Sequence, residues 1–158
     1  MTENEQQNER QFVVHRIYTK DLSYEAPNAP HIFRQEWQPK LELNMNTQAN
    51  KLDADTFEVI LSVTATTKLA DQTASIVEVH LAGLFGIQGF PDPELAHLLG
   101  AYCPNLLFPY VREVVSDLVA KGSFPQLVLQ PVNFDALFAQ HQQQMADQAK
   151  GNPAPTSH

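Results

Sequence analysis

Six histidines, His15, His31, His80, His97, His141 and His158, are the side chains best suited to metal or acid–base chemistry, and their dispersion argues against both. No pair stands at the i, i+4 spacing with an intervening glutamate that would set two imidazoles and a base on one helical face. The single cysteine, Cys103, lies in an apolar stretch beside Pro104 with no activating base nearby in sequence, which suits a buried structural thiol better than a nucleophile. Gly83, Gly86 and Gly89 form a G-x-x-G-x-x-G run, not a dinucleotide loop. Because Phe90-Pro91-Asp92-Pro93 follows, a bent strand end is the simpler reading. Neither a G-x-S-x-G elbow nor a phosphate-binding lysine loop is present. The sequence therefore predicts no catalytic residue, no metal and no cofactor.

Binding chemistry is better represented. Trp37, Phe124, Phe134 and Phe138 cluster around turn-rich segments, where they either wall an exposed apolar groove or close the ends of the core. A groove of this kind, with an open strand edge beside it, supplies the sequence-tolerant contacts that a binder of many unfolded chains needs. Asp21 and Glu25 lie four apart, and Ile76 and Glu78 share one face of a strand by the period-two rule. That spacing describes either an acidic surface with an apolar centre or an ordinary solvated sheet face.

A chain of 158 residues, 43% of them hydrophobic, suffices for one domain with a core. The net charge of −8, from 18 acidic and 10 basic residues, lacks the cationic footprint of a nucleic-acid binder and favours encounter with basic partners. One cysteine leaves no intrachain disulfide and suits a reducing compartment. The polar start MTENEQQNER is not a signal peptide, and no apolar run reaches the roughly 20 residues that span a bilayer. The expected location is cytoplasmic, without membrane insertion.

The elements follow from periodicity. Phe12 to Tyr18 reads as a strand, as do Leu41, Leu43 and Met45 in alternation with Glu42, Asn44 and Asn46. Phe57, Val59, Leu61, Val63 and Ala65 continue the pattern, and a turn over Leu69–Gln72 leads into a strand from Thr73 to Phe85. After Phe90 the period becomes helical, with Leu107, Val111, Val114, Leu118 and Val119 on one face and Gly122 as the stop. Pro104 suits a first turn, whereas Pro109 predicts a kink or a later start. Asn133 or Asp135 caps a second helix leading into the glutamine run. The expected fold is α+β: a four-stranded antiparallel sheet with two C-terminal helices packed on one face. Residues 1–10 read as a disordered arm, 11–139 as the domain and 140–158 as a polar, largely disordered tail, although QHQQQMADQAK is also able to extend a helix.

Two long strings resemble the SecB family: RIYTKDLSYEAPNAP from Arg16 to Pro30, and GAYCPNLLFPYVREVVSDLVAKGSFPQLVLQPVNFDALF from Gly100 to Phe138. The similarity spans roughly Phe12 to Phe138. It implies an ATP-independent chaperone that holds precursor polypeptides unfolded and delivers them to the SecA motor, assembled as a homotetramer, a dimer of dimers. Trp37 and Phe138 fall at positions that contact the client, with Phe124 and Phe134 as further groove candidates. Asp21, Glu25, Ile76 and Glu78 fall at positions that dock the basic, zinc-binding C-terminal segment of SecA. The chain departs from the family pattern at Ser75, where a larger apolar residue is expected, at Ile76, more often leucine, and at His80 and Leu81, where glutamines are expected. Two alternatives remain at this stage: a SecB-like chaperone dedicated to an antitoxin, and a small-molecule-binding protein using a cleft between sheet and helices.

Overall fold

The computed structural model describes residues 9–151. Four long strands, β1 (Gln11–Glu25), β2 (Pro39–Lys51), β3 (Thr56–Leu69) and β4 (Gln72–Gln88), form one antiparallel sheet in the order β1-β4-β3-β2. The centre of that order is the β3–β4 hairpin, closed by Ala70 and Asp71, with Ala70 at φ 53°. Alternation decides the rest. Phe57, Val59, Leu61, Val63 and Ala65 are all buried, and they stand opposite Phe85, Gly83, Leu81, Val79 and Val77 of β4. Each large apolar side chain buried this way contributes about 1.5–3 kcal/mol, so this pair of strands is the framework of the domain.

The helices cover only that face. A short helix α1 (Asp92–His97) runs through a wide π-type turn (Leu98–Tyr102) into α2 (Cys103–Lys121). Cys103, Leu107, Val111, Val115 and Val119 recur every four residues and are buried against the sheet. Val115 thus belongs to the core, where the sequence reading had placed Val114 and Leu118, which are only half-buried. Pro104 is the second residue of α2, in the first turn as expected, although the helical path already reaches it from α1. The wide turn just before it supplies the room that the proline ring needs next to the preceding carbonyls. Pro109 does not interrupt α2 either: it is exposed, and the carbonyl it leaves without a helical partner belongs to the solvent-facing Asn105.

Gly122 does end α2, but for a packing reason. It has φ −80°, and the left-handed residue is Ser123 at φ 66°. A Cβ on Gly122 would lie 1.7 Å from the Tyr24 hydroxyl, so only glycine lets β1 approach the helix end. The following segment, with Phe124 and Leu129 buried, is pinned by Arg112 Nε donating to the Leu129 carbonyl at 3.1 Å. Asn133 caps α3 (Phe134–Gly151), its Oδ1 accepting from the Ala136 amide at 3.0 Å. The helix continues to Gly151, beyond residue 140 where the tail was expected to begin, because no glycine or proline interrupts the run before that point. From Ala139 on every residue of it is exposed. The expected arm over residues 1–8 and the tail over 152–158 lie outside the described residues.

Candidate functional site

The four aromatic candidates separate into two clusters. Trp37 stacks on Phe124 with centroids 5.7 Å apart, and Phe33 meets the same Phe124 ring at 5.1 Å. Phe134 packs edge-on against Phe108 at 5.7 Å, and Phe138 packs against His97 at 5.5 Å. Burial sorts them again: Phe124 is 6% exposed and Phe134 5%, so both are floor rather than wall, while Trp37 and Phe138 remain half-buried at the surface. The physical reason is that the segments carrying Phe124 and Phe134 turn inward over the sheet, a fact that a reading of local polarity misses.

The strand that links the two clusters is β2, one edge of the sheet. Its helix-side residues after Trp37 are Leu41, Leu43, Met45, Thr47 and Ala49, opposite Thr67, Ala65, Val63, Leu61 and Val59 of β3. Leu41 is 40% exposed and Leu43 and Met45 are half-buried, so an apolar strip runs beside an edge whose outer backbone groups have no partner strand among the described residues. Towards the end of β2 the strip opens into a cleft of about 410 Å³ walled by Met45, Ala49, Leu99, Phe134, Leu137 and Phe138. Gly100 makes this wall possible, since a Cβ there would lie 2.5 Å from the Phe138 ring. His97 Nε2 pairs with Asp135 at 2.6 Å and ties the start of α3 to α1. Leu41, Met45 and Leu137 were not among the sequence-level candidates. The alternation of β2 contains the signal for the first two, but it cannot say that the strand lies at an edge.

On the opposite face, no helix among the described residues covers the strands. Glu25 stands opposite Ile76, Ser23 opposite Glu78 and Asp21 opposite His80, so the four acidic-face candidates share one surface across β1 and β4. Their carboxylates are exposed at this end of the sheet. Further along, the charge is neutralised. Tyr18 donates to Glu58, Lys20 Nζ lies 3.0 Å from the same carboxylate, and Asn50 Nδ2 donates to it at 3.4 Å. The Tyr18 hydrogen bond is the largest influence holding the Glu58 carboxyl below its ordinary range, and burial chiefly pushes the Tyr18 phenol up to about 12.

The departures from the family pattern also find places. Ser75 is buried opposite Thr67, and Leu81 faces the core opposite Leu61. His80 faces outward, its Nδ1 3.0 Å from Ser62 Oγ and its Nε2 2.9 Å from Glu78 Oε1. This Ser–His–Glu chain is not built as a hydrolytic triad. Ser62 lies mid-strand in β3, whose amides are committed to ladders on both sides, so no pair of N–H groups converges on an oxyanion beside it. Cys103 is fully buried, and burial pushes its thiol up to about 12, far from a reactive thiolate.

Among the described residues no helix is long and apolar enough to cross a membrane, and no three His, Cys, Asp or Glu side chains gather to hold a metal ion. Residues 5–145 match the family described as Preprotein translocase subunit SecB. A relative named Protein-export protein SecB, from Methylococcus capsulatus, is 52% identical over 150 residues, covering 95% of this chain and 97% of that protein. A SecB-like chaperone of Mycobacterium tuberculosis, solved in complex with a peptide from an antitoxin, shares the fold with a TM-score of 0.66 at 20% identity. That likeness covers 77% of this chain and 90% of the other. With a family match over residues 5–145 and 52% identity across nearly the full length of a SecB protein, the chain belongs to the SecB family.

Proposed function

We infer that this chain is a protein-export chaperone that binds unfolded precursor polypeptides, keeps them competent for translocation and passes them to SecA. The observation that carries the reading is the apolar strip beside the open β2 edge, present in a chain 52% identical to a protein named for protein export. An extended client bonds its backbone to the free edge of β2 and lays alternate side chains on Leu41, Leu43 and Met45 and into the cleft beside Phe138. Trp37 and Phe138 stand at the two ends of this path, with Phe124 and Phe134 buried beneath them. Since binding and release require only contact and competition, no ATP, cofactor or turnover is involved, and the chain works as a holdase rather than an enzyme.

SecA docks on the other face through Asp21, Glu25, Ile76 and Glu78. A carboxylate cluster around one apolar side chain complements a basic segment and speeds its oriented association. The grooves thus stay open while the motor is engaged. Assembly uses a second ridge on α2, Tyr102, Leu106, Tyr110, Val114 and Leu118, parallel to the buried one and only partly covered in the single chain. Tyr110 is 49% exposed. An apolar ridge of this length pairs with a second copy, which supports the dimer of dimers. The cytoplasm is where precursors, SecA and a reduced Cys103 coexist. The export reading is preferred to an antitoxin-dedicated one because the export relative is 52% identical and the antitoxin-peptide complex only 20%.

The test is refolding arrest. Without nucleotide, purified protein should hold a slow-folding precursor unfolded and soluble, and Glu78→Lys should retain this arrest while losing SecA binding. If the wild-type protein neither slows refolding nor binds SecA, the reading is wrong and a small ligand in the 410 Å³ cleft becomes the alternative to pursue.

A further inference from the structure

We propose that His80 is a positioning residue of the acidic face, holding the Glu78 carboxylate and setting by its own charge how strongly that face attracts a cationic partner. The inference rests on the docking role proposed above for Asp21, Glu25, Ile76 and Glu78. It concerns a residue at which this chain departs from the glutamine expected there.

The geometry is a three-member chain across two strands. With Nε2–H donating to Glu78 Oε1 at 2.9 Å, Nδ1 accepts from the Ser62 hydroxyl at 3.0 Å in the neutral ring. In the imidazolium the Nδ1–H donates to the same hydroxyl oxygen, so both charge states keep the contacts and the ring does not move. Glu78 is therefore held in one orientation on either side of the transition. What changes is charge. Protonation places a full positive charge 2.9 Å from one of the three carboxylates that a basic segment would meet.

The groups facing His80 come from its own strand and from both neighbours. Glu78 lies two residues away on β4, Asp21 stands opposite on β1, and Ser62 stands opposite on β3 with Thr64 next to it facing Glu78. Lys20, near Asp21, is committed to Glu58 at 3.0 Å, and Glu58 is further occupied by Tyr18 and Asn50, so neither offsets the change at His80. Among the described residues no helix lies on this face to add another charge, and the imidazole is about a third exposed, within reach of bulk protons. Histidine is the side chain whose ordinary chemistry puts its change of charge between about pH 5 and pH 8.

The expected consequence is docking that weakens on acidification. The affinity of purified SecA for the full-length protein is measured at low salt from pH 8 to pH 6, for wild type, His80→Gln, His80→Lys and Glu78→Lys. Because each variant meets the same SecA, the ratio of wild type to His80→Gln removes the partner's own titration. That ratio should be near one at pH 8 and fall roughly two- to fivefold by pH 6, the effect of one partly exposed ion pair. His80→Lys should match the weak, low-pH behaviour throughout. An invariant ratio, with wild type and His80→Gln both binding and Glu78→Lys not, overturns the inference and leaves the docking face intact. Undiminished binding by Glu78→Lys overturns both.

Discussion

Replacing Phe134 by alanine should release α3 from the domain while leaving the sheet and α2 folded. What holds α3 is short and countable: Phe134, 5% exposed and edge-on to Phe108, the half-buried Phe138 over Gly100, the Asn133 cap and the exposed His97–Asp135 pair. Burial of a whole phenylalanine accounts for about 3–4 kcal/mol when the site cannot collapse. The exposed ion pair adds about 0–1 kcal/mol and the cap about 1 kcal/mol. Beyond Phe138 the helix rests on nothing, every residue from Ala139 to Gly151 being exposed, and an isolated helix of this length is marginal in water. The substitution therefore removes the largest single share of the free energy that docks the helix. Hydrogen exchange read by mass spectrometry should show amide protection across the start of α3 falling by about two to three decades, from 3–4 kcal/mol at 1.4 kcal/mol per decade, with β3 and β4 unchanged. Leu137→Ala and Met145→Ala, at exposed positions of the same helix, are the controls and should change protection little. Unchanged protection of α3 would refute the reasoning. So would a matching loss across β3 and β4, which would make Phe134 part of the global core rather than the anchor of a helix.

Three further outcomes follow from the same geometry. Tyr110→Glu puts a charge in the middle of the uncovered α2 ridge and should convert the proposed tetramer to smaller species in sedimentation velocity without altering the circular dichroism of the fold. Glu58, held below the ordinary glutamate range when folded, contributes stability that is present above the unfolded pKa and lost as pH falls through the folded one. Glu58→Gln should thus cost about 1–2 kcal/mol at pH 7 in urea denaturation and flatten the loss of stability as the pH falls below the ordinary glutamate range. Cys103, buried with its thiol pushed up to about 12, should react with a thiol reagent at the rate of unfolding in native buffer and at once in denaturant.

The sheet was legible where its chemistry is regular. β3 keeps every second residue from Phe57 to Leu69 buried on the helix side, with Ile60 the one outward residue that is buried as well, because an inner strand with one face on helices holds its register to that face. β1 was found only from Phe12 to Tyr18, although it runs to Glu25. Its register slips after Val14 and again after Thr19, so the helix-side residues are Phe12 and Val14, then Ile17 and Thr19, then Leu22 and Tyr24. Two bulges shift a period-two pattern twice and erase it. Those same bulges bring Asp21 and Glu25 onto the face of Ile76 and Glu78, a juxtaposition that the spacing of the four residues does not reveal. For α2, the helical period was plain but its phase was not, because two apolar ridges run side by side and only contact with the sheet tells which is buried. Pro109 was misread for a related reason: local rules treat a proline as a boundary, whereas a solvent-facing carbonyl behind it lets the helix continue. Edge position decides the role of β2, and strand order is a property of the whole sheet that no single segment encodes.

The central claim, that an unfolded chain lies along β2 while the acidic face stays free, is tested most directly by hydrogen exchange on the protein with and without a bound unfolded precursor. The account predicts added protection confined to β2, residues 39–51, and to the start of α3 around Leu137 and Phe138, with β1 around Asp21 and Glu25 unaffected. Protection centred on β1 and the outer face of β4, with β2 exchanging as in the free protein, would contradict it.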